Sequence, residues 1–273
     1  MINERPYLSN AILKTPPMMM QNNTIPCGND HGLPARVYAA KLEDIDLSAA
    51  TALLDRSETA HANAIPHQES RETFIRSRAM LRAVLSREIG VSPAKVPLTF
   101  NAHGKPELAT RDGMHFNVSH SSGMALVAIH TRPIGVDIEL VDERIPHLDL
   151  AGDLFTVAEQ KELSKPDCDR ERTRQFFRIW TRKEAFLKGL GTGFAADPKL
   201  FDVIDPRAVE SSGWQLHPLP VAADWEAAIA VADAAKDVHM VDVVSFQPFR
   251  VRRRRTPGKP LRAKMTSACR TLH

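Results

Sequence analysis

Three carboxylates and a lysine in the middle of the chain carry its clearest chemical signal. Asp137 and Glu139 lie in Ile134-Gly135-Val136-Asp137-Ile138-Glu139, and Glu184 and Lys188 lie in Trp180-Thr181-Arg182-Lys183-Glu184-Ala185-Phe186-Leu187-Lys188. Side chains alternate along a strand with period two, so Asp137 and Glu139 share one face. A face with two acids repels itself unless a cation joins it. Carboxylate oxygens suit hard ions such as magnesium, which keeps several waters and takes one or two protein acids beside phosphate oxygens. Gly135 would let a backbone or ligand approach closely. The bland alternative is an edge strand with a solvated outer face.

The second segment must be a helix to be useful. Arg178 to Lys188 lacks Gly and Pro, and Phe177, Trp180, Phe186 and Leu187 give it apolar surface before a stop at Gly189 or Gly191. Glu184 and Lys188, four apart, share a face. They read either as an ordinary ion pair worth about 0.2 to 0.5 kcal/mol, or as a third carboxylate and a phosphate-reaching cation beside Asp137 and Glu139. Upstream, Phe116-Asn117-Val118-Ser119-His120-Ser121 runs into a tight turn at Ser122-Gly123. Neighbours on an extended chain face opposite sides, and no Gly-x-Ser-x-Gly pattern surrounds Ser119, so phosphate donors fit better here than a nucleophile and its base. A capping serine and a satisfied turn histidine are the plain alternative.

Taken in order with Gly104-Lys105-Pro106 and Phe155-Thr156-Val157-Ala158-Glu159, these segments resemble the 4′-phosphopantetheinyl transferases in their larger two-lobed form, which acts on the carrier domains of peptide, polyketide and fatty-acid synthases. The similarity runs from about residue 36 to about residue 250 and leaves both ends uncovered.

The resemblance implies that Asp137, Glu139 and Glu184 bind magnesium, with manganese as a substitute. It further implies that Lys188, Lys105, Ser119 and His120 contact coenzyme A, with Glu184 and Lys188 as the catalytic pair. Glu159 matches an acid near the active site, its role open. The implied reaction is transfer of phosphopantetheine to a serine of an apo acyl- or peptidyl-carrier protein, with Glu184 as general base. The pyrophosphate and 3′-phosphate of coenzyme A call for one divalent ion and several cations, which Lys105, His120 and Lys188 would supply. One departure stands out: the family's arginine before the Phe of the first long helix is Thr73 here, ahead of Phe74. Arg71, Arg76 and Arg78 remain as candidates for the 3′-phosphate. A carrier-protein phosphodiesterase, or a non-catalytic coenzyme- or carrier-binding module, is the alternative. The first should show His/Asp-rich ligand clusters, which the sequence lacks.

Composition agrees with a globular enzyme. The 273 residues are 43% hydrophobic and 25% charged, enough for one large or two modest domains. No apolar run approaches the roughly 18 residues of a membrane helix, and the N-terminus shows no basic segment followed by an apolar core. A cytoplasmic monomer without membrane or nucleic-acid partners is expected. Cys27, Cys168 and Cys269 show no metal-ligand spacing. From Arg250 onward there are nine Lys and Arg and no acids, which leaves 27 basic against 33 acidic residues in the rest. The basic balance is therefore a property of the tail, read as a solvated extension or a contact for an acidic carrier surface.

The elements needed to position the site follow from periodicity. Residues 1–34 read as an irregular extension and 251–273 as a basic, disordered tail. Between them the pattern predicts a strand over 35–40, helices over 48–56 and 69–89, and strands near 97–101, 116–119 and 124–130. It then predicts a strand over 135–141, helices near 157–164 and 172–188, and strands near 200–204, 225–231 and 238–246. Strand, long helix and strands in each half predict an α+β fold of two similar lobes with a pseudo-twofold relation, 35–133 and 134–250. Each lobe would pack a long helix on a small, mostly antiparallel sheet, the second carrying the metal site and the cleft between them holding the ligand.

Overall fold

A computed structural model describes residues 34–109, 113–192, 196–232 and 241–245. Strand β1 (Ala35–Lys41) leads into α1 (Leu47–Thr51), α2 (Arg56–Ala64) and the long α3 (Gln68–Ile89). Asp46 caps α1 by accepting from the Ala49 amide, and Asp55 and Glu58 form a reciprocal capping box on α2. The sequence pattern puts one helix over 48–56; the structure ends it at Thr51, and α2, which the pattern does not anticipate, starts from the Asp55 cap. Gly90 closes α3 in the left-handed conformation, φ 71°.

A small hairpin, β2 (Leu98–Phe100) with β3 (Pro106–Leu108), precedes the tight hairpin of β4 (His115–Ser121) and β5 (Met124–His130). Its two-residue turn, Ser122-Gly123, has both φ values positive, 40° and 85°, the geometry that matches the twist of paired strands. Strand β6 (Ile134–Leu140) opens the second half, followed by α4 (His147–Leu154), α5 (Val157–Leu163) and α6 (Asp169–Leu190). Helix α7 (Pro206–Ser211), β7 (Trp214–Pro218), β8 (Trp225–Ala232) and β9 (Val241–Ser245) complete the described chain.

The strands form a four-stranded sheet, β4-β5-β1-β9, and a three-stranded antiparallel sheet, β6-β8-β7. Among the described residues only β1 and β9 pair in parallel; β1–β5 and β4–β5 are antiparallel. The fold is therefore α+β with small, mainly antiparallel sheets. Helix α3 packs Met80, Leu81, Val84 and Leu85 against Tyr38, Phe116, Val127 and Ile129 on one face of the first sheet. The other face of that sheet, through Val37, Leu126 and Ala128, meets Val136, Ile138, Ile229 and Val231 of the second. Strand β5 is thus covered on both sides, which is why all seven of its residues are buried and its sequence is a continuous apolar run. Helix α6 covers the remaining face of the second sheet through Ala185, Phe186, Ala228 and Ala230.

The region predicted as a strand over 200–204 is instead a 3₁₀ turn, Pro198–Leu200, and irregular chain. Asp202 accepts from the amides of Ile204 and Asp205, local bonds that compete with a sheet ladder. Strand β7 takes the sheet position instead. The basic tail, the N-terminal extension, Cys27 and Cys269 lie outside the described residues; Cys168 is a free, exposed thiol.

Candidate active site

Strand β6 divides its side chains cleanly. Val136 and Ile138 enter the core between the sheets, so Gly135, Asp137 and Glu139 turn to α6. The approach is close: a Cβ at Gly135 would lie 2.8 Å from the Cα of Gly189 and nearer still to the Ala185 carbonyl oxygen and Gly189 amide. Gly189 has no room for a side chain either, since its Cβ would meet the Trp214 ring at 2.6 Å. Two glycines therefore let strand and helix backbones touch, and this sets the acids of β6 beside the helix face that carries Glu184 and Lys188.

The Lys188 ammonium lies 2.6 Å from Asp137 Oδ1 and 3.0 Å from Ser119 Oγ, and Ser119 also donates to Asp137 Oδ1 at 2.8 Å. Ser121 donates to Glu139 at 2.7 Å, and the Trp180 side chain hydrogen-bonds the same carboxylate. Asn117 accepts from the Val136 amide at 2.9 Å. Alternate residues of β4, namely Asn117, Ser119 and Ser121, therefore reach β6 as a row.

Burial pushes the Glu139 carboxyl up to about 7, and the neighbouring Asp137 charge adds to it. Glu184 is also pushed up to about 7 by burial, with Lys188 opposing the shift and Asp137 and Glu139 reinforcing it. For Lys188, burial works to lower the ammonium, but the charge and hydrogen bond of Asp137, helped by Glu184 and Glu139, raise it overall. The four groups thus share one electrostatic environment.

Asp137 Oδ2 and Glu184 Oε1 are both buried and have no hydrogen-bond partner. Buried acceptors left in this way are costly unless a further group completes them. In kind, three carboxylates with open oxygens fit a hard divalent ion. In position they are not gathered: among the described residues no three His, Cys, Asp or Glu side chains are close enough to hold one.

The other expected contacts fall in different places. The Lys105 ammonium donates to the carbonyls of Lys188 at 2.6 Å and Gly189 at 3.2 Å, and Asn101 donates to the Gly191 carbonyl at 3.0 Å. The β2–β3 hairpin is thereby tied to the C-terminal end of α6, where a cation also suits the helix dipole. Lys105 further borders a cavity of about 270 Å³ with Pro106, Met114 and His115. His120 is exposed and pairs with Ala125 of β5, on the α3 side of the sheet, so it does not join Ser119.

Of the three arginines, Arg71 and Arg76 donate to the backbone carbonyls of Ile65 and Ile45. Arg78 pairs with Glu58 at 3.4 Å and lies over the rings of Phe74 and Phe100. Its Nη1 is buried without a partner.

Glu159 proves to be a structural hub. It is fully buried, closes a capping box on α5 with Thr156, accepts from the Val203 amide at 2.9 Å, and pairs with Lys183 at 2.8 Å. Lys183 also donates to the carbonyls of Pro198 and Phe201 at 2.7 and 2.6 Å. The Thr156-x-x-Glu159 spacing is a capping-box signature visible in sequence. Its partner Lys183 was not visible, because nothing local links the two. The roles of Ser121, Asn117 and Asn101 were also missed, and each depends on how separate segments meet.

Comparison with known proteins bears on this arrangement. Residues 133–233 match the family model of the 4′-phosphopantetheinyl transferase superfamily. The 4′-phosphopantetheinyl transferase HetI of Nostoc sp. is 34% identical over 208 residues, covering 73% of this chain and 85% of that protein. The chain belongs to the 4′-phosphopantetheinyl transferase superfamily. A putative superfamily transferase of Synechocystis sp., slr0495, is 30% identical over 221 residues, with 72% and 87% covered. Sfp of Bacillus subtilis is 30% identical over 137 residues, with 50% and 60% covered. The matched superfamily segment contains Asp137, Glu139, Glu159, Lys183, Glu184 and Lys188. Ser119, Ser121 and Lys105, which meet that segment in space, lie before it in sequence.

Proposed function

We propose that this protein transfers the 4′-phosphopantetheine arm of coenzyme A to a serine of an apo acyl- or peptidyl-carrier protein, releasing 3′,5′-ADP. Beside superfamily membership, one observation carries the reading: Asp137, Glu139, Glu184 and Lys188 share a buried environment with two unpartnered carboxylate oxygens. The serine oxygen attacks the β-phosphorus, and the bond from that phosphorus to the 3′,5′-ADP oxygen breaks. Glu184, placed among the acids that face the phosphates, takes the serine proton. Lys188 and Ser119 lie beside the acids and orient the pyrophosphate, while Lys105 and His120, set on the last carbonyls of α6 and on the α3 side of the sheet, would meet the coenzyme away from it. Positioning and charge neutralisation do most of the catalytic work in such transfers. Asp137, Glu139 and Glu184 would hold magnesium or manganese, which when bound supplies charge neutralisation to the pyrophosphate.

The finer architecture belongs to the same proposal. Residues 35–133 and 134–250 form two lobes with a pseudo-twofold relation, flanked by an extension (1–34) and a basic tail (251–273). In support, each half has a small sheet and a 22-residue helix closed by a left-handed glycine, Gly90 or Gly191. Because one chain brings together residues from both halves, a monomer suffices. Among the described residues no helix is long and apolar enough to cross a membrane, in keeping with a cytoplasmic enzyme.

Intact-mass measurement of apo-carrier incubated with coenzyme A tests the function. The transferase adds a phosphopantetheine mass with magnesium present and none after chelation. A phosphodiesterase would remove that mass from holo-carrier, and a binding module would do neither. Failure to modify both fatty-acid and secondary-metabolite carriers, with magnesium and coenzyme A saturating, would overturn the reading.

A further inference from the structure

Lys188 occupies a place that a phosphate-binding lysine has no need to occupy. Its ammonium is not turned toward open solvent but sits on Asp137 Oδ1, which also accepts from Ser119. Asp137 is 1% exposed, whereas the Lys188 side chain is 29% exposed. The carboxylate is therefore fixed in the interior, while part of the lysine side chain reaches the surface. One ammonium also cannot serve every acceptor around it, since Asp137 Oδ2 and Glu184 Oε1 remain without partners. Asp137, the deepest of these acids, is paired with a positive charge, and Lys188 supplies it at 2.6 Å.

We infer that Lys188 is the resident counter-ion of the metal-free site and is displaced from Asp137 when a divalent ion enters, which frees the same ammonium to meet a phosphate. This inference rests on the reading that Asp137, Glu139 and Glu184 hold such an ion. A divalent ion and an ammonium competing for one buried carboxylate would repel each other, and such repulsion is screened less in the interior than in water. Metal occupancy and lysine release become one event. Coenzyme phosphates then encounter a free ammonium only once the ion that neutralises them is in place.

The test uses the full-length chain without coenzyme A, so that turnover plays no part. Mn²⁺ binding is measured by electron paramagnetic resonance for the wild type, Lys188→Met and Ser119→Ala. Removing the competing ammonium should tighten Mn²⁺ binding by roughly tenfold or more, the factor carried by one charge-assisted hydrogen bond. Ser119→Ala, which loosens the lysine without removing its charge, should shift affinity in the same direction by less. It keeps the test decisive if Lys188→Met does not fold.

In the wild type, the Lys188 ammonium signal in a ¹H–¹⁵N correlation spectrum, assigned by its loss in Lys188→Met, should move when Mg²⁺ is added. Should both variants bind Mn²⁺ no more tightly than the wild type, or should that signal stay fixed at saturating Mg²⁺, the displacement idea is overturned while the metal reading survives. Absence of Mn²⁺ binding to all three proteins overturns the metal reading, and this inference with it.

Discussion

The backbone of Gly135 rests directly against the Ala185 carbonyl, with no space for even a methyl group between strand β6 and helix α6. Gly135→Ala should therefore force the two elements apart rather than rotate a side chain. Because Asp137 and Glu139 are on one element and Glu184 and Lys188 on the other, the expected result is loss of turnover by about 10²-fold or more. Overpacking of this kind costs about 1–3 kcal/mol and occasionally more. Steady-state kinetics and urea unfolding check it. A variant with normal turnover would mean that the backbone contact does not set the site.

Lys183 and Glu159 give a second test. Breaking a buried ion pair by removing one partner costs about 3–5 kcal/mol, so Lys183→Met should lower the denaturation midpoint sharply. The double variant Lys183→Met/Glu159→Gln should regain part of the loss, because no uncompensated charge remains. Recovery should be incomplete, since Glu159 also accepts from Thr156 and Val203. Chemical denaturation of the four proteins in a double-mutant cycle provides the comparison.

For Glu184, substitution by Gln keeps shape and removes the base. Turnover should fall by about 10²- to 10⁴-fold, while binding of coenzyme A, measured calorimetrically, changes far less. Near-normal turnover with metal saturating would exclude Glu184 as the base.

Tyr38 provides a pH prediction away from the site. Its hydroxyl donates to Glu88 at 2.7 Å, and Arg36 pairs with the same carboxylate, linking β1 to α3. Burial first, then the hydrogen bond and charge of Glu88, push the phenol up from 10.0 to about 12. A raised phenol favours the protonated form in the fold. Its contribution is whole below the ordinary pKa and is lost as pH rises through about 12. In an ultraviolet titration, one of the two tyrosines should ionise late, and Glu88→Gln should bring that step to lower pH.

Much of the site could be read from the sequence because its geometry is local. The period of two puts Asp137 and Glu139 on one face, and the four-residue interval puts Glu184 and Lys188 on another; both relations hold in the fold. What the sequence could not convey is how far those faces stand from each other, or that Lys188 would lie on Asp137. Lys105 shows the same limit: its motif was plain, but its seat on the last carbonyls of α6 depends on a hairpin docking from the other half. The mistaken strand at 200–204 has a local cause, aspartate side chains that outcompete a ladder. Strand β7 carries a usable signal, since Trp214, Gln215, Leu216 and His217 alternate apolar and polar residues, but the run is only four residues long before Pro218 and its pairing is set by β8.

The pairing of β9 with β1 means that the chain's late segment is sewn into its earliest sheet. Cutting the polypeptide between β5 and β6 would therefore not yield two separable pieces, because each would lack strands or side chains lodged in the other. Such mutual closure makes partial melting of one half expensive for the other. A single sharp calorimetric transition, rather than two, is the thermal signature of a chain that clasps its own beginning.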